Sequence, residues 1–433
     1  MLTFLATLAR WLPSSSSRKK QLLALLAAEA PAAASLWPFP AVVGASLAIA
    51  WGAEAAQFLI SQGLALALVA WLQTLPEFAV EFVIAWNLKV DLLTANLAGA
   101  IRLLVGLGWP LIYGTAAFYH RRRFGRPLKQ IRLDDEHAIE VLFLAPPLIY
   151  FLFIWVKARL EIYDAIVLIF LYVAYLLVLQ RIPPQAEDKI ETLPAVPRLV
   201  LRCRPRARNA WIIVLFLGGG VTLYFVAEPF LHSMLAAALW LGIPSYVFVQ
   251  WVAPFLSEFP EKVSAFYWAR SIHNAAMALM NMASSNINQW TLLAAMLPIV
   301  YAFGLRHHGL PIIPIYFDAL QEVEIALTIA QSLLGLLLLA NLEFNAREAA
   351  GIFLLWFFQF VTSTIPHQIL LAATSNPVWA LLQLAALHMA ALATTVYLIW
   401  CGWEVWLMTR RRRSLRAVPV FVRLWREHIG WPA

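Results

Sequence analysis

Runs of about 20 nearly uninterrupted apolar residues recur along almost the whole chain, and they constrain its fold more than any other feature. A run of that length is sufficient to cross the roughly 30 Å hydrocarbon layer of a bilayer as an α-helix. The 433 residues are 62% hydrophobic and 13% charged, which is more apolar surface than a soluble domain can bury. The runs also lack the alternation of a barrel strand. The sequence therefore predicts an all-α polytopic membrane protein embedded in the lipid bilayer.

We predict eleven membrane spans from these runs. They cover residues 41–60, 62–86, 91–118, 138–156, 162–180, 211–232, 240–269, 276–304, 319–341, 345–372 and 378–400. Residues 1–40 are interpreted as an N-terminal interfacial segment. Within it, residues 21–36 are left open between a span and a surface helix, because Glu29 and Pro31 interrupt them.

Basic residues collect in three segments beside the apolar runs, at 120–132, 202–210 and 410–416. A net charge of +8 is compatible with nucleic-acid binding, but this placement is typical of cytoplasmic loops that follow the positive-inside rule. We therefore expect no nucleic-acid partner and a cytoplasmic C-terminal tail, residues 401–433. The composition favours the bacterial cytoplasmic (inner) membrane. Cys203 and Cys401 have neither disulfide nor metal-ligand spacing.

A short motif occurs twice inside apolar runs, as TLPEF at 74–78 and EFPEK at 258–262, with the two prolines 184 residues apart. Each copy lies in the second span of a half of five spans, and a polar linker at 181–210 separates the halves, 41–180 and 211–372. An odd number of spans per half forces opposite orientations in the membrane, which is the inverted-repeat plan of many secondary transporters. The span at 378–400 is additional to both halves.

Glu77 and Glu261 are the first candidates for a site, because a carboxylate at membrane depth faces a cavity or a partner. The proline before each Glu can break the helix and free carbonyl oxygens. Freed carbonyls and carboxylates together are typical of a site for a hard cation. The alternative is that each proline kinks a helix while its Glu accepts an internal hydrogen bond.

Other buried charges need partners. Glu258 and Lys262 are one turn apart in the order favoured for a helical ion pair. Arg102 lies deep in the third span, where Glu54 and Glu81 are the available acids in the same half. In an unwound helix, Arg102 could instead swing into the site and occupy part of the space of a bound cation.

Polar residues follow the second motif on one helical face. They are Asn281, Ser285, Asn288 and Gln289, widened by Ser284. The stripe is either a set of ion ligands opposite Glu261 or a set of hydrogen bonds between packed helices. In the first half only Asn96 remains, because Ala100 and Leu104 replace the equivalent polar residues.

These motifs, QTLPEF followed by LLTANLAGAIRLL and SEFPEK followed by LMNMASSNINQ, resemble the repeats of the cation/calcium antiporter superfamily, typified by sodium/calcium exchangers. The resemblance covers residues 41–372 and implies ten core helices in two inverted five-helix repeats. It implies that Glu77 and Glu261 are the paired metal ligands. The supporting ligand positions that it implies are Thr74, Asn96, Ser257, Asn281, Ser285 and Gln289.

The resulting hypothesis is a secondary active antiporter that binds Ca²⁺, or another small cation, between Glu77 and Glu261 and exchanges it for Na⁺ or H⁺ by alternating access. It needs no cofactor. The alternative is a degenerate membrane scaffold or partner-binding protein in which Arg102 replaces the cation. A channel is disfavoured by the absence of a visible filter, and an enzyme by the absence of a catalytic motif. The oligomeric state is left open.

Overall fold

The structure is a computed structural model, and it describes residues 36–56, 74–181, 193–241, 245–270, 272–364 and 389–430. Most of these residues are helical. The helices are α1 (Pro38–Ala56), α2 (Leu75–Trp86), α3 (Val90–Phe124), α4 (Asp135–Val156), α5 (Ile162–Leu179), α6 (Ala195–Arg202), α7 (Pro205–Leu241), α8 (Ser245–Ser257), α9 (Phe259–Ala269), α10 (Ile272–Asn288, continued by Gln289–Leu293 and Ala294–His307), α11 (Ala319–Leu339), α12 (Ala346–Thr364), α13 (Met389–Thr409) and α14 (Ala417–Leu424). Four short strands are β1 (Gln130–Arg132), β2 (Arg159–Leu160), β3 (Ile315–Tyr316) and β4 (Glu343–Asn345).

Eight of the described helices are long and apolar enough to cross a bilayer, namely α1, α3, α4, α5, α7, α10, α11 and α13. They confirm the prediction of a helical polytopic membrane protein. The predicted span 240–269 is divided into α8 and α9, which meet at Glu258. The described end of the predicted span 62–86 is α2. Parts of the spans 345–372 and 378–400, together with residues 1–35, lie outside the described residues.

Several helices extend beyond their predicted boundaries, and α7 and α13 do so furthest among the described residues. The 37 residues of α7 begin at Pro205 rather than at 211 and continue to Leu241. At about 1.5 Å per residue such a helix is longer than the bilayer is thick, so its arginine-containing first turns extend beyond the hydrocarbon. Similarly, α13 continues to Thr409. The linker predicted at 181–210 contains the short helix α6. An apolar run indicates only the part of a helix that lies inside the lipid. The helix itself continues beyond that part into the more polar residues on either side.

Burial places α3 and α10 at the centre of the molecule. In the most apolar stretches of these two helices, 83% and 78% of residues are buried, compared with 28% in α7 and 22% in α13. The polar residues within these stretches of α3 and α10 therefore mostly face other helices, while α7 and α13 expose much of their surface to lipid. A buried carboxylate or amide in these stretches must consequently find its partners within the protein.

Local irregularities of the backbone recur at the spacing of the two motifs. Ala158 and Leu342, 184 residues apart, both have left-handed backbone conformations, with φ of 52° and 60°. Each is followed by a short strand and then by a helix with reciprocal side-chain caps, formed by Glu161 with Asp164 and by Asn345 with Glu348. This recurrence favours the predicted duplication.

The two central helices share a second irregularity. A π-helical turn interrupts α3 at Leu104–Gly108 and α10 at Gln289–Leu293, again about one repeat apart. A π turn inserts an extra residue into the helix and is frequent at functional sites. In α10 this turn begins at Gln289, one of the predicted ion ligands.

The two halves are joined by short antiparallel pairings. Strand β1, after α3, pairs with β4, before α12, with Gln130 opposite Asn345. Strand β2, before α5, pairs with β3, before α11, with Arg159 opposite Tyr316. Each pairing links a loop of one half to a loop of the other. The sequence predicted an all-α chain, and these pairings are a small addition to it.

Gly99 allows α3 and α8 to pack in backbone contact. A Cβ at this position would lie 1.8 Å from the carbonyl oxygen of Gln250, so Gly99→Ala must separate the two helices. We expect a loss of stability of about 1–3 kcal/mol, measured by thermal unfolding in detergent. Gly114→Ala is the matched control, because it lies in the same helix and its Cβ would meet nothing within 4 Å. Equal melting temperatures for the two variants would contradict this account of the packing.

The C-terminal tail is attached to the second half by Arg413. Its guanidinium contacts Glu348 of α12 and Glu404 of α13, each at 2.6 Å, and donates to the carbonyl oxygen of Leu338 at 2.7 Å. Glu348 is the capping acid of α12. In the first half the equivalent acid, Asp164, is paired with Lys157 at 2.5 Å. The second half therefore receives from the tail the positive charge that the first half carries in its own loop.

Candidate ion-binding site

Both Pro-Glu pairs begin helices. Helix α2 begins at Leu75 after Thr74, and α9 begins at Phe259 after Glu258. Proline is compatible with the first turn of a helix, because the backbone donors there have no intrahelical acceptor. Glu77 and Glu261 consequently lie in the first turns of α2 and α9, where the positive end of the helix dipole favours a negative charge.

One amide joins the two motifs. The Nε2 atom of Gln289 donates to Oε2 of Glu77 at 2.9 Å and to Oε1 of Glu258 at 2.8 Å. Beside it, Nδ2 of Asn288 donates to the hydroxyl oxygen of Thr74 at 2.5 Å. Residues from the second half thus contact α2 of the first half directly. The two motifs, distant in sequence, meet at the π turn of α10.

The acids of this cluster are withdrawn from the surface. Glu77 and Glu261 are each 1% exposed and Glu258 is 2% exposed. Glu77 lies within electrostatic range of Glu258, Glu81 and Glu261, so their negative charges repel one another. Such a cluster is costly in a low-dielectric interior unless cations or protons neutralise it. The arrangement is therefore suited to accepting positive charge.

Several oxygen atoms of the cluster are buried without a hydrogen-bond partner among the described residues. They are Oε1 of Glu77, both carboxylate oxygens of Glu261, Oγ of Ser285, Oδ1 of Asn288 and Oε1 of Gln289. Ser285 approaches Glu261 closely enough to interact with it without reaching hydrogen-bond geometry. Buried polar atoms are otherwise nearly always paired. These atoms are the carboxylate, amide and hydroxyl oxygens that a hard cation such as Ca²⁺ requires.

No ready-made metal cage of three or more His, Cys, Asp or Glu side chains occurs in the described part of the chain. The carboxylate of Glu258 is engaged by Lys262 and Gln289. A cation between Glu77 and Glu261 would therefore need amide, hydroxyl and carbonyl oxygens, or water, as its remaining ligands. The predicted ion pair between Glu258 and Lys262 is confirmed.

Some predicted ligands have other contacts. The amide of Asn96 donates to Glu81 at 3.0 Å, and the hydroxyl of Ser264 donates to Glu54 at 2.5 Å. Glu54 and Glu81 are thus held by neutral donors. Two other predicted residues have hydrogen bonds elsewhere: Ser257 donates to the carbonyl oxygen of Ala253 at 3.0 Å, and Ser284 shares a 2.9 Å hydrogen bond with Tyr175. Asn281 is buried.

The prediction for Arg102 was wrong in its partner. Arg102 is paired with Glu324 of α11 at 2.5 Å, rather than with Glu54 or Glu81, and it does not bridge Glu77 and Glu261. Its guanidinium lies 5.1 Å from the centre of the Trp251 ring. The helix is regular at this residue, so the side chain points away from the site. The hypothesis that Arg102 replaces the transported cation is therefore not supported by its position.

The sequence interpretation missed two residues around Arg102. Glu324 pairs with it, and Gln250 donates to the same carboxylate oxygen at 2.8 Å. Both are polar residues inside predicted spans, which was an available signal. Because they belong to the other half of the chain, a search for partners within the first half could not find them.

The comparisons with known proteins agree with this architecture. The sequence profile of the sodium/calcium exchanger protein family matches residues 36–180 and 211–365, which is more than half of the chain. The chain therefore belongs to the sodium/calcium exchanger protein family. No curated protein sequence matches it significantly.

Among solved structures, the chain is similar to the H⁺/Ca²⁺ exchanger CAX. The identity is 28%, the TM-score is 0.75, and the match covers 95% of this chain and 98% of that one. A second similar structure is the sodium-calcium exchanger NCX_Mj soaked without Na⁺ and Ca²⁺. It is 18% identical with a TM-score of 0.48, and the match covers 75% of this chain and 95% of that one. The family match and the likeness to CAX show that the protein is a membrane transporter of the cation/calcium antiporter superfamily.

Proposed function

We propose that this protein exchanges Ca²⁺ for H⁺ across the membrane, with the cation bound between Glu77 and Glu261. The observation that supports the proposal is that two buried carboxylates, one from each half, lie within electrostatic range of each other, beside oxygen atoms that lack partners among the described residues. Gln289 holds Glu77 from the opposite half. A relative movement of the two halves would therefore open or close the site, as alternating access requires.

The choice of Ca²⁺ follows from the ligands. Ca²⁺ takes about six to eight oxygen ligands in flexible geometry. Glu77 and Glu261 supply two negative charges, and Ser285, Asn288 and Gln289 supply neutral oxygens. Mg²⁺ is less well suited, because it demands near-octahedral geometry and loses its water reluctantly. The likeness to an H⁺/Ca²⁺ exchanger supports the same choice.

The choice of H⁺ as counter-ion follows from the first half. Ala100 and Leu104 are fully buried where the second half has polar residues. A set of separate Na⁺ sites would need oxygen ligands at such positions, whereas a proton needs only a carboxylate. Two protons on Glu77 and Glu261 would balance one Ca²⁺ in charge.

The test is a flux assay with the full chain in proteoliposomes. We expect an outward-directed H⁺ gradient to drive ⁴⁵Ca²⁺ uptake, and dissipation of that gradient by a protonophore to abolish it. Uptake driven by a Na⁺ gradient at symmetric pH would replace H⁺ by Na⁺ as the counter-ion. Absence of Ca²⁺ uptake under both gradients would overturn the proposal, provided that the protein is folded and inserted.

A further inference from the structure

The candidate site contains a cation of its own, Lys262. This residue is 5% exposed and forms an ion pair with Glu258. Applying the repeat spacing of 184 residues, the first half has Phe78 where the second has Lys262, and Thr74 where the second has Glu258. Both members of the ion pair are therefore present in the second half and absent at the equivalent positions of the first half.

The pair is connected directly to the proposed ligands. One oxygen of Glu258 contacts Lys262, and the other accepts from the Gln289 amide at 2.8 Å, which in turn donates to Glu77 at 2.9 Å. Lys262 also lies within electrostatic range of Glu261. Among the described residues, the other acids beside the cluster are Glu81 on α2, which accepts from Asn96, and Glu54 on α1, which accepts from Ser264 of α9.

The ion pair of Glu258 with Lys262 determines the net charge of the cluster. When Glu54 and Glu81 are protonated, the acids that contribute charge are Glu77, Glu258 and Glu261, with three negative charges in their ionised form, and Lys262 carries one positive charge. The net charge is minus two, which one divalent cation neutralises. Without the lysine the cluster would match a trivalent cation, or a divalent cation with an additional monovalent one. In a low-dielectric interior one unmatched charge strongly affects the affinity for an ion.

We propose that Lys262 is a fixed internal counter-charge that adjusts the site to divalent cations and against cations of higher charge. The inference rests on the proposed function, because it assumes that Glu77 and Glu261 bind the transported ion. Lys262 then affects the specificity of the site for the charge of the cation, and it acts through its ion pair with Glu258. A purely structural ion pair would change the affinities for all cations by a similar factor when broken, and it would leave their ratio unchanged.

The experiment measures the affinities of the purified full-length protein for Ca²⁺ and for Tb³⁺, a trivalent ion of similar size and ligand preference. Binding is followed by ⁴⁵Ca²⁺ equilibrium binding and by its displacement with Tb³⁺. In Lys262→Gln we expect the ratio of Tb³⁺ affinity to Ca²⁺ affinity to rise at least about tenfold, because one negative charge becomes uncompensated. In Glu258→Gln the lysine is left facing fewer acids, and the ratio is expected to fall by a similar factor.

Two controls separate charge from structure. Lys262→Arg keeps the charge, and the double variant Glu258→Gln/Lys262→Gln removes both charges, so both should remain within about threefold of the wild-type ratio. If Lys262→Gln does not fold, the comparison of Glu258→Gln with the double variant tests the same charge difference. Wild-type protein that binds Ca²⁺ while the ratio is equal in all variants would overturn the role of Lys262 alone. Wild-type protein that binds neither ion would overturn the proposed function with it.

Discussion

Replacing Glu261 by glutamine is expected to reduce H⁺-driven Ca²⁺ uptake at least about 100-fold, and Glu77→Gln should do the same. Glutamine keeps the volume of the side chain and one carbonyl oxygen but removes the negative charge. In a buried site that charge provides both attraction for Ca²⁺ and a place for the returning proton. Both steps of the exchange are therefore lost together. The measurement is initial ⁴⁵Ca²⁺ uptake into proteoliposomes with equal amounts of inserted protein.

Glu228→Gln is the matched control for these variants. Glu228 is also a glutamate on an apolar helix, α7, but its side chain is 65% exposed and its Oε1 atom lies 3.9 Å from Nε2 of His232. We expect its uptake to remain within about twofold of the wild type, since surface substitutions away from a site usually have small effects. Wild-type rates in Glu77→Gln and Glu261→Gln would contradict the proposed site.

Replacing Arg102 by glutamine is expected to destabilise the folded protein by about 3–5 kcal/mol. The guanidinium is 2% exposed and contacts Glu324 at 2.5 Å, so its removal leaves a carboxylate largely buried without its cation. Breaking such a pair costs more than replacing both partners by apolar residues. The double variant Arg102→Met/Glu324→Met should therefore recover much of the lost stability. Thermal unfolding in a single detergent measures all variants.

The surface pair of Arg132 with Glu343 provides the comparison. The nitrogen–oxygen distance there is 3.6 Å, and the arginine side chain is 78% exposed. Exposed ion pairs contribute about 0–1 kcal/mol, so Arg132→Gln should have a small effect. If Arg102→Gln is no more destabilising than Arg132→Gln, the pair with Glu324 does not stabilise the fold. If it is as stable as wild type but transports no Ca²⁺, Arg102 has a role in transport instead.

The membrane class and the duplicated motif were predictable because both depend on local composition. A run of about 20 apolar residues is stable only inside the lipid bilayer. The recurrence of Pro-Glu at a spacing of 184 residues is visible in the sequence alone. Ala158 and Leu342 occupy equivalent positions in the two halves, because both have a left-handed backbone conformation. A comparison of residue types does not detect this shared conformation.

Partners across the two halves were not predictable. The contacts of Arg102 with Glu324 and of Gln289 with Glu77 join residues more than 200 positions apart. Helical periodicity states which residues share a face but not which face of another helix lies opposite. The pair of Glu258 with Lys262 was predictable, because four residues separate them on one helix. The roles of Glu77 and Glu261 as ligands remain predictions.

The attachment of Arg413 to the second half bears on how the protein is made. Lys157 is synthesised before Asp164, so the first half can neutralise that acid as soon as the segment folds. Glu348, in contrast, precedes its partner Arg413 by 65 residues, and all of α13 must be translated and inserted before the two can meet. During biosynthesis the second half therefore passes through a stage in which this acid has no arginine. A chain that ended after α13 would remain at that stage, exposed to the quality-control proteases of the membrane.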